Sequence, residues 1–376
     1  MKILCIIDSL GSGGAQMQMT YLVRGLKARG HAVELFLYHP GQDHFRQEVE
    51  DAGVPIHKVL HDGQKGFSWL TLWQLRRRIA KGFDAIISFQ MAANLYSVLA
   101  RFISPLVRLI VCERTSYIDR LSIARQVAQK LTWLFSDFIV PNSETEGRHI
   151  RGLYGLSKKV FVIWNGYEIK KLPVQSKRRE VPSLDRLLII GRISYEKNGL
   201  RILQGLDMFL ARHGWMPEVY WAGRRDDDPT SRDMQRKMDQ FLTNNPEISR
   251  HWSWLGEVID VQNLYIKSDA LILPSLFEGL PNVVCEAMIA GCPVIASNVH
   301  DHPLLLGEDE ERGLLCDPYS PESICEAIGR MSAMSIQERS EITQRARVFA
   351  EKYLDLDRMV KSYERLLVCS IPGSKS

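Results

Sequence analysis

Two glutamates, Glu278 and Glu286, stand with seven residues between them in the segment FEGLPNVVCEAMIAGCPVIAS, residues 277–297. The segment has no other charged residue, and burying an unpaired carboxylate is costly, so each glutamate needs a polar partner. Residues 280–282 predict a helix start, where backbone N–H groups and the helix dipole favour negative charge. Glu286 lies about one turn inside that helix and can accept two hydrogen bonds from a ribose. Glu278 precedes the helix and can reach a sugar hydroxyl.

Two cations follow a predicted strand in the segment LLIIGRISYEKNGLRIL. Gly191 and Arg192 come at the end of the strand, and Lys197 lies at or near the start of the next helix. The forked guanidinium and the point charge of the ammonium can together hold a diphosphate. Because Arg and Lys are common on solvated surfaces, a surface role is the alternative for this segment taken alone.

A glycine-rich turn, residues 11–14, separates the first predicted strand from the first predicted helix. Such a turn presents backbone N–H groups at a positive helix end to an anion. The spacing of Gly13 and Gly14 does not fit the GxGxxG dinucleotide fingerprint. A tight turn without a ligand is therefore the alternative.

Predicted strands alternate with helical patterns along the whole chain. In the first half, strands are expected at 84–89, 108–114 and 137–143, which is the rhythm of a parallel, doubly wound α/β sheet. The run KKLPVQSKRREVPSLD is the best candidate for a linker, and the alternation restarts after it. Two such units imply two domains with a cleft, and ligands bind beyond the carboxyl ends of the strands.

The composition is typical of a globular protein. Of 376 residues, 45% are hydrophobic and 24% charged, and the apolar runs are far shorter than the ~18–20 residues of a membrane span. The seven cysteines are scattered without a CxxC pair, which argues against a zinc site. Residues 1–170 hold 22 Lys and Arg against 14 Asp and Glu, a net +8, and the remainder is net −4. The basic half suits an anionic partner, although a solvated surface explains it equally well.

These segments together resemble the family 4 retaining glycosyltransferases of GT-B fold. Two glutamates separated by seven residues form the family's motif, which Glu278 and Glu286 match. The segments GRISYEKN, WLGEVIDVQNLY and SDALILPS match as well. The resemblance covers essentially the whole chain and is strongest from 187 to 297.

The resemblance implies two Rossmann-like domains that face each other across a cleft. We expect an acceptor-side domain at 1–168 and a nucleotide-sugar domain at 169–350. A carboxyl-terminal helix at 351–370 is expected to cross back to the first domain.

The resemblance also implies roles for the motif residues. Arg192 and Lys197 would hold the leaving diphosphate, and Glu286 would bind the nucleotide ribose. Glu278 would contact the transferred sugar and support the transition state, so the expected catalytic residues are Glu278, Arg192 and Lys197. The expected donor-binding residues are Gly13, Gly14, Gly191, Arg192, Lys197, Gly279, Leu280, Pro281, Asn282 and Glu286.

The acceptor side is expected in the first half of the chain. Glu113 and Arg114, in VCERTSY, resemble the SERN-type segment of bacterial polysaccharide and lipid-linked-oligosaccharide transferases. That resemblance implies a place near the sugar or the acceptor. Asn142 ends another predicted strand beside the cleft, and a helix-capping role is equally consistent with its position.

The sequence departs from the family pattern at three places. Arg224 and Arg225 stand where a second glycine is frequent, and HDH at 300–302 stands where glycines are frequent. Both changes border the expected donor pocket and leave the identity of the donor open. Asn198 replaces a frequent glycine after the lysine.

Other functions are weighed against this one. Metal-dependent GT-A transferases hold a divalent cation with a DxD step, but DDD at 226–228 lies in a polar run that favours a solvated loop and helix cap. The resemblance implies that Arg and Lys neutralise the diphosphate instead, so no metal is expected. A nicotinamide dehydrogenase leaves the paired glutamates unexplained. A non-catalytic nucleotide-sugar-binding subunit would be expected to lose Glu278 or the glycine turn, and both are present. A GT-B enzyme that uses a sugar nucleotide in another reaction is a further alternative.

One segment suggests a surface partner. FSWLTLWQLRRRIAKGF places Trp69 and Trp73 four residues apart beside the arginines at 76–78. Aromatic and basic residues at helical spacing suit an interfacial membrane helix or a nucleic-acid surface, and core packing of the tryptophans is an equal alternative. Because such transferases often have lipid-linked acceptors, we favour a membrane surface and expect no nucleic-acid partner.

We therefore expect a metal-independent hexosyl- or N-acetylhexosaminyltransferase without a cofactor, whose donor is a UDP- or GDP-sugar. The acceptor would be a glycan or lipid-linked glycan of surface polysaccharide or lipopolysaccharide biosynthesis. The enzyme would act in the bacterial cytoplasm, peripherally at the inner face of the inner membrane.

Overall fold

The computed structural model describes residues 1–59, 66–114, 122–153, 155–171, 184–258 and 260–370. The chain forms two compact units. The first comprises Met1–Tyr167 and the carboxyl-terminal segment from Leu354, and the second comprises Glu168–Tyr353. Most of the predicted linker, residues 172–183, lies outside the described residues.

The first unit is built on a parallel sheet of six strands in the order β3-β2-β1-β4-β5-β6. This is the doubly wound α/β arrangement that the sequence predicted. The strands are β1 Lys2–Ile7, β2 Ala32–Leu37, β3 Ile56–Lys58, β4 Ala85–Phe89, β5 Arg108–Glu113 and β6 Phe138–Pro141. The helices between and after them are α1 Gly14–Ala28, α2 Arg46–Asp51, α3 Trp69–Ile79, α4 Met91–Arg101, α5 Ile123–Leu134 and α6 Glu144–Arg151.

Both faces of this sheet are covered. Along β1, Ile3 and Ile7 lie in one apolar cluster with α1, whereas Leu4 and Ile6 lie in another with α3 and α4. A strand buried on both faces becomes a nearly continuous apolar run rather than an alternating one. The run KILCII was recognisable as a strand for this reason.

The second unit has a parallel sheet in the order β12-β11-β10-β7-β8-β9. Its strands are β7 Arg186–Ile190, β8 Glu218–Ala222, β9 Trp252–Gly256, β10 Ala270–Leu273, β11 Val294–Ser297 and β12 Leu314–Cys316. Its helices are α7 Gly199–His213, α8 Pro229–Asn244, α9 Pro246–Arg250, α10 Val261–Lys267, α11 Asn282–Ala290, α12 His302–Leu306, α13 Pro321–Ala333 and α14 Ile336–Tyr353.

The last helix, α15 Leu356–Val368, belongs to the first unit. Its residues Val360 and Tyr363 lie in the same apolar cluster as α1. Gly25 of α1 permits this close approach, since a Cβ atom there would lie 2.4 Å from Val360 Cγ2. No helix in the described part of the chain is both long enough and apolar enough to cross a bilayer.

We predict that Gly25→Ala lowers the free energy of unfolding by about 1–2 kcal/mol, although alanine is the better helix former. The added methyl group would overlap Val360 and force α15 away from α1. Denaturant unfolding followed by circular dichroism measures the change.

Gly329 of α13 is the matched control, because a Cβ atom there meets only His213 Nε2, at 3.8 Å. Gly329→Ala should raise the stability by up to about 1 kcal/mol. If both variants shift stability in the same direction, the close packing of α15 on α1 does not have the assigned effect.

Candidate active site

The loops that follow β7 and β8 are held against each other by two glycines. The Gly191 N–H donates to the Ala222 carbonyl over 2.9 Å, and the Trp221 indole N–H donates to the Gly191 carbonyl over 2.9 Å. Gly223 has φ 153°, and a Cβ atom there would lie 1.9 Å from the Gly191 carbonyl oxygen. Only glycine fits this position. The ends of two neighbouring strands therefore present joined loops, one of which carries Arg192.

Lys197 and Glu278 form an ion pair in which both side chains are about 15% exposed, at 14% and 15%. Lys197 comes from the loop after β7 and Glu278 from the loop after β10, and these two strands are neighbours in the sheet. Burial by itself raises the pKa of Glu278. The charge and hydrogen bond of Lys197 outweigh burial, so the pKa lies below the usual value. Two residues predicted to share one function are thus in contact.

Asn198 holds these two loops in place. It has a left-handed backbone, φ 61°, which explains why a glycine can serve at this position. Its buried side-chain amide donates to the carbonyl oxygens of Pro274, at 2.9 Å, and Pro318, at 2.6 Å. The asparagine therefore fixes the loop that carries Lys197 to the loop that precedes Glu278.

Arg192 is half exposed and bonded to carboxylates. It donates to Asp226 at 2.5 Å and to Glu196 at 3.4 Å. Asp228 accepts from the backbone N–H groups of Thr230 and Ser231 as the N-cap of α8, which confirms the predicted helix cap. No group of three or more His, Cys, Asp or Glu side chains placed to hold a metal ion occurs within the described ranges.

Glu286 lies on α11, apart from the ion pair. The Tyr265 hydroxyl donates to its carboxylate over 2.9 Å. Burial raises the pKa of Glu286 to about 7, although the hydrogen bond from Tyr265 acts in the opposite direction. A glutamate with this pKa changes its charge near neutral pH.

The predicted helix start at 280–282 is confirmed. The helix α11 begins at Asn282 with Pro281 as its N-cap residue, and it ends at Gly291, whose φ of 74° is left-handed. Leu280 and Pro281 are buried, whereas Gly279 and Asn282 are partly buried. Within α11 every apolar residue except Val283 is buried, so the helix is fixed from its interior side.

Two histidines near Glu278 were noted in the sequence without a role. His302 is fully buried and its Nδ1 lies 2.8 Å from the Ser297 carbonyl oxygen, so Nδ1 carries the proton and donates. Its Nε2 has no hydrogen-bond partner among the described residues. His300 has a left-handed backbone, φ 51°, at a position where the family pattern has glycine. Burial lowers the pKa of both imidazoles, and the charge of Glu278 acts on both in the opposite direction.

In the first unit, the glycine turn leads into α1 as predicted. Gly13 is the N-cap residue, and its carbonyl accepts from the Met17 N–H at 3.0 Å. A Cβ atom at Gly13 would meet Gln16 Oε1 at 2.3 Å, and the Gln16 amide is itself held by Asp8 at 2.9 Å. Gly14 is the first helical residue and is partly buried.

Glu113, for which a place near the sugar or the acceptor stays a prediction, is buried in the first unit. It is only 2% exposed, and its carboxylate accepts hydrogen bonds from Asn94 at 3.2 Å, Gln129 at 3.0 Å and the Trp133 indole at 2.7 Å. Burial raises its pKa, and these three donors act against that rise. Glu113 therefore fixes α4 and α5 to β5 from inside the unit.

Arg114 is also an interior residue. It donates to Asn165 at 3.0 Å and to the Tyr363 hydroxyl, and its guanidinium lies 3.9 Å from the centre of the Phe89 ring. The rest of VCERTSY, residues 115–117, lies outside the described residues. Asn142 directly follows β6 and is 5% exposed, and the neighbouring Ser143, not Asn142, caps α6.

Comparisons with known proteins match both units of the chain to families of glycosyltransferases. The family model described as "Glycosyltransferase Family 4" matches residues 12–171, and the model described as "Glycosyl transferases group 1" matches residues 185–333. The chain is 24% identical over 336 residues to an alpha-1,4-N-acetyl-D-galactosaminyltransferase of Campylobacter jejuni, named for its GalNAc-containing diphospho-undecaprenol substrate. This alignment covers 84% of the chain and 85% of the relative.

Two further relatives are similar over most of their length. The capsular polysaccharide biosynthesis glycosyltransferase CapH of Staphylococcus aureus is 22% identical over 307 residues, which are 80% of this chain and 82% of CapH. The crystal structure of Anabaena Alr3699/HepE in complex with UDP and glucose superposes with a TM-score of 0.82. It is 20% identical, and the superposition covers 98% of this chain and 100% of that one.

We predict that Lys197→Met changes how stability depends on pH. In the native chain the pKa of Glu278 lies below its unfolded-state value of 4.5. The resulting stabilisation is fully present above pH 4.5 and is lost only as the pH falls through the lowered pKa. Without Lys197, burial raises that pKa, so the variant loses stability as pH rises from 5 towards 8. The loss relative to the native chain should reach roughly 3 kcal/mol at pH 7.

Urea unfolding at several pH values measures this difference. In the double variant Lys197→Met, Glu278→Gln, the added dependence on pH should vanish, because the buried carboxylate of Glu278 is no longer present to titrate. A loss in Lys197→Met that does not vary with pH would show that the ion pair is not the cause.

Proposed function

We propose that this chain, which belongs to the family 4 glycosyltransferases and has their GT-B fold, transfers a sugar from a UDP-sugar to a hydroxyl of a lipid-linked glycan. The observation that carries the proposal is the Lys197–Glu278 ion pair, which stands beyond the ends of neighbouring parallel strands. The C. jejuni relative named for an undecaprenol-linked glycan supports the acceptor class. The UDP bound in Anabaena Alr3699/HepE supports the nucleotide.

Breaking the anomeric bond places negative charge on the departing diphosphate and positive charge on the sugar ring. In the proposed mechanism Lys197 and Arg192 stabilise the diphosphate, and Glu278 stabilises the ring. An ammonium has three N–H donors, so Lys197 can keep Glu278 while it binds a phosphate oxygen. Each cation is already paired with a carboxylate in this structure, which keeps its charge balanced before a donor arrives.

We further propose that the anomeric configuration is retained, with attack from the face on which the diphosphate leaves. The acceptor oxygen forms the new bond to the anomeric carbon as the bond to the β-phosphate oxygen breaks. The acceptor proton passes to that phosphate oxygen, so that UDP leaves with the proton and no protein nucleophile is needed. Lys197 and Arg192 lower the barrier by stabilising the charge that develops on the phosphate.

Glu286 completes the proposed donor site by accepting two hydrogen bonds from the ribose. Only the ionised carboxylate offers acceptors to both hydroxyls without a competing O–H of its own. Tyr265 holds one carboxylate oxygen at 2.9 Å, so the orientation of Glu286 is fixed before a nucleotide binds.

We predict that Arg192→Ala and Lys197→Ala each reduce the rate of UDP release from UDP-glucose by about 10²-fold or more. One preorganised donor to a developing charge contributes a few kcal/mol to the transition state. Screening UDP- and GDP-sugars for thermal stabilisation establishes the best donor for the same assay.

Arg212→Ala is the matched control, since Arg212 is a partly exposed arginine of the second unit paired with Glu322. Its variant should release UDP at the native rate. Unchanged turnover in Lys197→Ala would remove the phosphate-binding role assigned to this lysine.

We predict that UDP-glucose binds roughly tenfold more tightly at pH 8 than at pH 6, because Glu286, with a pKa of about 7, is protonated below that pH. UDP-glucose is a suitable probe, since its phosphates do not titrate in this range, and calorimetry at each pH gives the affinity. Glu286→Gln should bind more weakly and show little dependence on pH. The assignment is wrong if Glu286→Gln retains the native dependence.

A further inference from the structure

The helix α5 has five large apolar residues, of which four are exposed and only Trp133 is buried. Gln129, Thr132 and Trp133 are its buried residues, and the first and last of these donate to Glu113. A stripe of large apolar residues on the opposite side is exposed: Ile123 at 80%, Val127 at 51%, Leu131 at 45% and Leu134 at 57%. Helices that pack on a sheet normally turn their apolar stripe inwards. We call these four residues the α5 stripe.

The buried carboxylate of Glu113 explains how this orientation is held. Its hydrogen bonds to Gln129 and Trp133 fix the side of α5 that carries these two residues against the interior. If the helix rotated to bury the α5 stripe, Glu113 would lose two of its three donors in a low-dielectric environment, which is costly. Glu113 is thus a positioning residue for the exposed stripe.

Further apolar residues continue the stripe at the end of α4. Phe102, Ile103 and Leu106 are exposed there, and the Phe102 ring lies 5.8 Å from the Phe135 ring that follows α5. The helices α4 and α5 pack against each other, as do α3 and α4. A large group of exposed apolar side chains on neighbouring elements of a folded protein marks an interaction surface.

The helix α3 adds aromatic residues of the same kind. Trp69, at 75%, and Trp73, at 53%, are the most exposed of its large apolar side chains, and the Arg77 guanidinium lies 4.7 Å from the centre of the Trp73 ring. The alternative that these tryptophans pack in the core is therefore wrong. Tryptophan beside arginine is typical of the boundary between lipid and water.

The charge of these helices has one sign. The sequences of α3, α4 and α5 contain no Asp or Glu, and their charged residues are Arg76, Arg77, Arg78, Arg101, Arg125 and Lys130. Arg78 is paired with Glu34 and Arg101 with Asp137, whereas Arg77, Arg125 and Lys130 are exposed. The charged residues that these helices themselves carry are thus all cationic, and the carboxylates of Glu34 and Asp137 come from other elements.

We propose that α3, the end of α4 and α5 form a membrane-docking surface whose partner is a bilayer that contains anionic lipids. The α5 stripe enters the interface between headgroups and acyl chains, and the arginines and lysine bind the anionic headgroups. A symmetric dimer through this face would bring cations of one copy against the same cations of the other, which disfavours a second copy as the partner. The proposal rests on the first unit alone and does not depend on the proposed sugar transfer.

The test is flotation of the full chain with vesicles of phosphatidylcholine, with and without phosphatidylglycerol. We expect binding to the anionic vesicles that weakens between roughly 0.1 and 0.5 M salt but is not abolished, because the apolar contact is not screened. The double variant Val127→Ser, Leu131→Ser should bind these vesicles about tenfold more weakly, since two apolar side chains no longer enter the interface.

The matched control is Val348→Ser, Leu255→Ser, which removes two exposed apolar side chains of the second unit. This control should bind vesicles like the native chain, and both double variants should keep their thermal stabilisation by UDP-glucose. Hydrogen exchange with and without anionic vesicles should show new protection concentrated in α3, the end of α4 and α5.

Two kinds of result would overturn the proposal. One concerns vesicles: the native chain and the Val127→Ser, Leu131→Ser variant bind them equally, or neither binds them at low salt. The other is a native dimer in light scattering that this variant dissociates, which would make the face an interface between copies. Loss of vesicle binding with retained UDP release separates this surface from the proposed reaction.

Discussion

A carboxylate that is removed from water must be given a cation or hydrogen-bond donors, and three glutamates of this chain meet that requirement in three ways. Glu278 has Lys197, which holds its pKa low. Glu286 has one tyrosine hydroxyl, which leaves its pKa near 7. Glu113 has three neutral donors, and burial still raises its pKa. The same residue type therefore serves as a charged, a titrating and a structural group.

The environment of each glutamate follows from its place in the fold. Glu278 lies in the loop that follows β10, and Glu286 lies on α11, the helix that follows this loop. In parallel α/β sheets, ligands bind beyond the carboxyl ends of the strands. Glu113 is the last residue of β5, and its side chain is enclosed by α4 and α5. Position within a sheet, more than local sequence, decides whether a carboxylate can meet a substrate.

Much of the fold could be predicted, because central parallel strands are continuous apolar runs. The strands β3, with the sequence IHK, and β9, with the sequence WSWLG, do not form such runs. Both are edge strands of their sheets and are only partly buried, so the sequence pattern did not predict them. Within the second unit, the two-glutamate motif and the segment GRISYEKN identified Glu278 and Lys197 as partners in one function. The pairing of Arg192 with Asp226 could not be predicted, since it joins loops 34 residues apart.

The burial of Glu113 could not be predicted for a similar reason. Its three donors lie 16 to 20 residues away in sequence, one on α4 and two on α5, so the short motif around Glu113 carried no sign of burial. For Trp69 and Trp73 the local sequence pattern was compatible both with core packing and with a surface partner. Only their exposure in the structure decided between these two alternatives.

The chain leaves and re-enters its first unit at one hydrogen-bonded point, where Tyr167 exchanges backbone hydrogen bonds with Leu354 and Leu356 at 2.8 and 3.0 Å. The second unit is thus a single uninterrupted insertion whose two ends are neighbours. Such an arrangement allows the insertion to be replaced as a cassette during evolution, while the host that receives it keeps its own terminal helix and core unaltered.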